Sequence, residues 1–65
     1  MRRWHIGWVG EPGLEPIHSL QAAHRLARQR WREYPPGSAV LRVYEQDEWG
    51  DLRLHTTIYR PGEED

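Results

Sequence analysis

The sequence predicts an α+β fold: a three-stranded mixed sheet in the order β-α-β-β, with one amphipathic helix packed on one face. The helix is indicated by apolar residues within 15–34 that recur at spacings of three, four and seven, which places them on one side. The strands are indicated by three segments in which apolar and polar residues alternate. Because a helix between two strands normally makes a right-handed crossover between parallel neighbours, we expect the first two strands to be parallel.

The first strand is expected over residues 2–9. Trp4, Ile6 and Trp8 alternate there with polar residues and glycine at period two, and tryptophan and isoleucine are frequent in strands. Glycines and prolines then indicate a loop over 10–15.

The helix is expected over residues 16–33. Pro16 suits its first position, where the missing N–H is not needed. Pro35 ends it, because the residue before a proline avoids the helical region. The apolar side of the helix is expected to carry Ile17, Leu20, Ala23, Ala27, Trp31 and Tyr34. The polar side would carry a basic stripe of Arg25, Arg28 and Arg32.

Two further strands are expected over 39–45 and 52–59, joined by a turn in which Gly50 takes the left-handed conformation. Residues 1–60 then form one small domain, and 61–65 are expected to be a disordered acidic tail. The expected core consists of Trp4, Ile6, Trp8, Leu41, Val43, Leu52, Leu54 and Ile58 from the sheet and Leu20, Ala23, Ala27 and Trp31 from the helix.

The composition excludes several classes of protein. The 65 residues contain no cysteine, so disulfides and thiolate metal sites are excluded. No apolar run reaches the roughly 18 residues that span a bilayer, and the N-terminus lacks the apolar stretch of a signal peptide. We therefore expect a soluble, cytoplasmic protein. A net charge of −1 gives the whole molecule no strong attraction to nucleic acid.

One helix covers only one face of the predicted sheet, and the other face is left uncovered. Tyrosine and arginine are favoured at protein interfaces. Aromatic rings among basic side chains also suit single-stranded nucleic acid, and an ordinary solvated surface is the third interpretation. The uncovered face is predicted to show Val40, Arg42, Tyr44, Arg53, His55, Thr57 and Tyr59.

We expect a small non-enzymatic binding or regulatory protein that acts by contact with another protein, as an accessory or inhibitor protein, or with a second copy as a homodimer. The predicted contacts are Tyr44, His55 and Tyr59 on the uncovered face and Trp49 at the turn. The alternative is a module that binds single-stranded nucleic acid or RNA. Its predicted contacts are Arg25, Arg28, Arg32, Arg42 and Arg53.

Catalysis has little support in the sequence. The four histidines show no metal-ligand spacing, and no glycine-rich phosphate loop is present. A small nuclease centred on His55 is the remaining catalytic hypothesis, but the sequence places no carboxylate to orient that imidazole. We therefore expect no enzymatic activity, no metal and no cofactor.

Overall fold

The computed structural model describes residues 3–62 and has an α+β fold, with one helix packed on an antiparallel sheet of four strands. The order of the strands across the sheet is β2-β1-β3-β4. Arg2, where the first strand was expected to begin, and residues 63–65 of the predicted acidic tail lie outside the described residues. The elements are β1 (Arg3–Trp8), β2 (Glu15–Ile17), α1 (Leu20–Arg30), a 3₁₀ turn (Trp31–Glu33), β3 (Ala39–Gln46) and β4 (Leu52–Tyr59).

The predicted three-stranded mixed sheet is wrong in strand number and in direction, and both differences have one cause. Residues 15–17 form the unpredicted strand β2, which pairs antiparallel with β1 and sets Ile17 opposite Trp4. The chain has therefore already reversed before the helix begins. The helix carries it back to the far end of β1, so β3 descends antiparallel to β1. The helix does cross between two parallel strands, but these are β2 and β3, which lie on either side of β1.

Ser19 is the N-cap of α1, which begins at Leu20. This is four residues after Pro16, where the helix was expected to begin. The hydroxyl oxygen of Ser19 accepts a hydrogen bond from the Ala22 N–H at 3.1 Å, the usual arrangement of a helix N-cap. Pro16 lies in β2, opposite His5. The helical segment ends at Glu33 as expected, although its last three residues form a 3₁₀ turn. No helix within residues 3–62 is long and apolar enough to cross a membrane.

The core lies between α1 and the centre of the sheet. Three small residues of the helix face it, and they allow the helix to pack closely on the strands. Fully burying one large aliphatic side chain stabilises the fold by about 1.5–3 kcal/mol. The few large side chains buried from the sheet therefore supply much of the stability of a chain this short. The buried residues are Ile6, Trp8, Ala22, Ala23, Ala27, Val40, Leu41, Val43 and Ile58. Trp4, Leu20, Leu26 and Trp31 pack partly buried against them.

Two irregularities in the pairing of β3 with β4 change the predicted core. The register passes from Tyr44 opposite Leu54 to Val43 opposite Thr56, which leaves His55 as an extra residue in β4. A second shift leaves Val40 as an extra residue in β3. One extra residue reverses the alternation of side chains between the two faces. Val40 therefore joins the core, contrary to the prediction.

The extra residue at His55 places Leu52 and Leu54 outside the core, although the sequence predicted them to be core residues. Both lie on the face opposite the helix, where they are 39% and 57% exposed. Period-two alternation assigns them to the core only if β4 is regular throughout its length, and the extra residue at His55 breaks that condition.

The loop after β1 is tied to the end of the helix through Arg30. The guanidinium carbon of Arg30 lies 4.1 Å from the centre of the Trp8 ring, a cation–π contact. Arg30 also forms ion pairs with Glu11 and with Glu33. The hydrogen bond to Glu11 is the main reason that the pKa of Arg30 lies above its usual value. One side chain thus connects the loop, β1 and the last turn of the helix.

The segment that follows the helix is fixed by two further side chains. The Tyr34 hydroxyl donates to the main-chain oxygen of Val9 at 3.0 Å. The Arg60 guanidinium, at the far end of β4, donates to the main-chain oxygens of Trp31 and Tyr34. The Trp31 oxygen also accepts the closing hydrogen bond of the 3₁₀ turn from the Tyr34 N–H at 2.9 Å, so Arg60 adds a second donor there and supplies one to the Tyr34 carbonyl that follows.

Removing the N-cap is expected to destabilise the fold measurably. Ser19→Ala should lower the free energy of unfolding by about 1 kcal/mol, because the Ala22 N–H loses its acceptor. Ser19→Asp keeps an acceptor at the same place and should retain most of the stability. Urea denaturation followed by tryptophan fluorescence measures both, and equal stability of the wild type and the alanine variant would contradict the assignment.

A pair of leucine substitutions tests the irregular register of β4. Leu41→Ala should cost about 2–5 kcal/mol, or prevent folding, since Leu41 is fully buried. Leu54→Ala should cost about 0.5 kcal/mol or less, as is usual for exposed positions. Comparable losses for the two variants, measured by the same denaturation, would mean that Leu54 lies in the core and that β4 has no extra residue.

Candidate interaction surface

The surface of the sheet that faces away from α1 is called the open face. The buried residues Ile6, Trp8, Leu41 and Val43 define the helix side, and the residues that alternate with them lie on the other side. On this basis the open face comprises Arg3, His5, Gly7, Pro16, Ala39, Arg42, Tyr44, Gln46, Leu52, Leu54, Thr57 and Tyr59.

The centre of the open face is a row of three side chains on neighbouring strands. His5 of β1 is directly opposite Tyr44 of β3, and Tyr44 is directly opposite Leu54 of β4. Directly opposite residues on one face have Cβ atoms about 4.5–5.5 Å apart, close enough for side-chain contact. The Nδ1 atom of His5 is buried and has no hydrogen-bond partner within residues 3–62.

Gly7 provides the space into which a loop residue packs. A Cβ atom at Gly7 would lie 2.9 Å from Cδ2 of Leu14 and 3.6 Å from Cε2 of Tyr44. Leu14 therefore leaves the loop between β1 and β2 and lies on the open face beside Tyr44. Gly7 itself is buried under these two side chains. This glycine permits an apolar cluster at a point where a larger residue would displace it.

Exposed apolar side chains are concentrated on the open face. Five large hydrophobic side chains in residues 3–62 are exposed, and four of them belong to this surface. They are Leu14 at 45%, Leu52 at 39%, Leu54 at 57% and Tyr59 at 60% exposure. Clusters of this kind on an otherwise polar surface are typical of interaction sites.

Charge on the open face has one sign. Arg3 and Arg42 are exposed there, and no position of this face within residues 3–62 is a carboxylate. The strand residues Glu15 and Glu45 occupy positions on the helix side, opposite Ile6 and Trp4 respectively. A protein with a net charge of −1 thus presents one surface that is apolar and positive.

The structure places two of the four predicted contact residues on the open face and the other two elsewhere. Tyr44 and Tyr59 are both on the open face, as expected. His55 lies instead on the helix side, since it is the extra residue of β4. Its ring and the Trp4 ring form a T-shaped pair, with ring centres 4.9 Å apart and planes inclined at 67°. The predicted grouping of His55 with the two tyrosines is therefore wrong.

Trp49, the fourth predicted contact, stands at the tip of the β3–β4 turn and is 79% exposed. The turn that carries it is well organised by Asp47. One carboxylate oxygen of Asp47 accepts hydrogen bonds from the N–H groups of Trp49 and Asp51, each at 2.9 Å. Gly50 adopts a φ of 88°, the left-handed conformation predicted for it. The indole is thus presented to solvent on an ordered turn.

The arginines of the nucleic-acid alternative lie on three separate surfaces. Arg25, Arg28 and Arg32 are exposed on the outside of the helical segment. Arg42 is on the open face, whereas Arg53 is on the helix side of the sheet, where it lies 3.7 Å from the Asp47 carboxylate. The prediction that Arg42 and Arg53 share one face is therefore wrong.

Sequence reasoning missed Leu14, Leu52 and Leu54 as members of this surface. Leu14 carried a weak signal, since it is an apolar residue in a loop of glycine, proline and glutamate. The two leucines of β4 carried no signal, because an extra residue within a strand has no fixed sequence pattern. No group of three or more histidine, aspartate or glutamate residues in the described part of the chain is placed to hold a metal ion.

Three comparisons with known proteins found nothing similar to this chain. The chain matches no protein-family model, and it has no significant match among the curated proteins or among the solved structures.

Proposed function

We propose that this protein is a small non-enzymatic binding or regulatory module that acts by contact with another protein through its open face. The observation that carries the proposal is the cluster of exposed leucines around Tyr44, formed by Leu14, Leu52 and Leu54 on an uncovered sheet face. Tyr59 is exposed on the same face, five residues further along β4 from Leu54. Binding removes such apolar surface from water, which is the dominant favourable term in most protein association.

The charges of the open face indicate the chemistry of the partner. Arg3 and Arg42 add positive charge to the open face, and no strand position of that face within residues 3–62 is a carboxylate. Arg3 lies at the end of the face, where it borders Asp47 and Glu48 of the β3–β4 turn. The guanidinium group makes paired hydrogen bonds with carboxylates. We therefore expect a partner that presents an apolar patch bordered by aspartate or glutamate.

Single-stranded nucleic acid has weaker support as the partner. Its five predicted arginines are divided among three surfaces, and one of them pairs with Asp47. Leucine side chains, which make up most of the apolar cluster, offer no aromatic plane on which bases stack. The carboxylates of the β3–β4 turn also repel phosphate.

Affinity purification from the source cell, followed by direct binding measurements, tests the proposal. The test variant is Leu14→Ser with Tyr44→Ser, which removes the centre of the cluster without altering β4. The control is Arg28→Gln, an exposed change on the opposite side of the molecule. The wild type and the control should bind the same purified protein, and the double variant should bind it at least about tenfold more weakly.

Two results would contradict the proposal. Equal affinity of the double variant, with its fold verified by circular dichroism, would mean that the open face is an ordinary solvated surface. Loss of the captured material after nuclease treatment, together with an affinity that falls steeply with salt, would identify nucleic acid as the partner.

A further inference from the structure

The two edges of the sheet differ in their capacity to accept another strand. The β2 edge is three residues long and has Pro16 at its centre. The β4 edge is eight residues long, contains no proline, and carries one charged residue, Arg53. Short length, proline and charge are the usual means by which proteins protect a sheet edge. In this chain they protect β2 and leave β4 available along its length.

We propose that two copies of this chain pair through the outer edges of their β4 strands. The strands run antiparallel about a two-fold axis between His55 and Thr56, and the two sheets become one sheet of eight strands. A second copy is the occupant, because β4 is complementary to itself in this arrangement, as its register shows.

The irregularity at His55 determines the register. Residues opposite each other in an antiparallel pair point to the same face. In β4 the extra residue places Leu52, Leu54, Thr57 and Tyr59 on the open face and Arg53, His55, Thr56 and Ile58 on the helix side. With the axis between His55 and Thr56, Leu52 meets Tyr59, Arg53 meets Ile58, Leu54 meets Thr57, and His55 meets Thr56. Every one of these pairs joins residues of the same face.

Neighbouring registers do not have this property. A shift of one residue sets Leu54 opposite Thr56 or Ile58, which point to the other face. A shift of two residues sets Leu54 opposite His55, or Thr56 opposite Thr57, and again the faces differ. Only the register centred on the extra residue sets 52–54 opposite 57–59 of the copy with every pair on the same face. At the axis the two 55–56 peptide groups present the same atom to each other, so main-chain hydrogen bonds form on either side of this point and not at it. An irregularity that commonly protects an edge here makes one self-pairing register consistent.

The side chains that meet in this register are compatible. Arg53 faces Ile58 of the second copy and not the other Arg53, so like charges are not opposed. At each end of the pair an exposed leucine, Leu52, covers an exposed tyrosine, Tyr59. The open faces of the two copies lie side by side on the joined sheet.

The proposed pairing depends on the main-chain edge of β4, and it shares Leu52, Leu54 and Tyr59 with the open face. Leu14 and Tyr44 belong to the open face alone, so substitutions at these two positions separate the two proposals. The pairing also differs from the homodimer expected from the sequence, in which two uncovered faces meet. Here the edges meet and both open faces remain available to a partner.

Cysteine cross-linking tests the register directly, because the chain has no cysteine of its own. Leu54→Cys and Thr57→Cys proteins are mixed and gently oxidised. The mixture should form a disulfide-linked dimer at least about tenfold faster than either protein alone, because the pairing holds these two positions together. Two copies of Leu54→Cys place their thiols three residues apart along the strand, about 10 Å. Arg28→Cys mixed with Leu54→Cys gives the rate of random collision.

The solution mass provides the second measurement. Sedimentation of the wild type should show a rise from 7.8 kDa toward twice that value with concentration. Leu54→Glu with Thr57→Glu sets carboxylates opposite each other and should keep the chain monomeric. The variant with arginine at both positions should also be monomeric, and an equimolar mixture of the two variants should again form a dimer.

The inference is overturned if the wild type is monomeric at about 1 mM, a concentration at which even weak pairs form. It is also overturned if the mixed cysteine proteins cross-link no faster than the Arg28→Cys control. Leu14→Ser with Tyr44→Ser should leave dimerisation unchanged and weaken partner binding, so a failure of this inference is distinguishable from a failure of the proposed function.

Discussion

The side-chain alternation of a paired strand is the constraint on which this structure depends. β3 and β4 keep their main-chain pairing while each accommodates one extra residue, Val40 and His55 respectively. Each extra residue exchanges the faces for the remainder of its strand. Val40 thereby becomes part of the core, and Leu54 becomes part of the surface. The division of these strand residues between the core and the solvent-exposed surface thus follows from two positions in one hairpin.

A core this small needs support at its margins. The helix contributes alanines to the core and therefore little apolar volume. Aromatic side chains near the C-terminal end of the helix supply additional contacts. Trp8 is covered by Arg30, and Tyr34 closes the end of β1 through its bond to Val9. Arg60 completes this end by binding carbonyl groups that follow the helix. Elements distant in sequence are therefore fastened at the end of the sheet where the helix finishes, and the β3–β4 turn extends freely at the other.

The sequence predicts the elements of this fold better than their arrangement. The bounds of β4 and the conformation of Gly50 follow from alternation and turn chemistry, which are local. Strand β2 was missed because Pro16 favours a helix start, whereas its pairing with β1 is a long-range event. The candidate surface was predicted in part: Tyr44 and Tyr59 are on the open face, and His55 is not. No local pattern encodes the extra residue in β4 that decides this difference, and the partner of the surface stays a prediction.

Pro16 has a consequence beyond the protection of a short strand. A sheet with two accessible edges can pair with another sheet at each edge, so edge pairing can continue indefinitely and produce filaments. The proline at the centre of β2 removes one main-chain donor from that edge, so only the β4 edge can accept another strand. The proposed pairing through β4 would then end at two copies, because the second edge of each sheet is blocked. A single imino acid in a three-residue strand would thus distinguish a closed dimer from an open-ended filament.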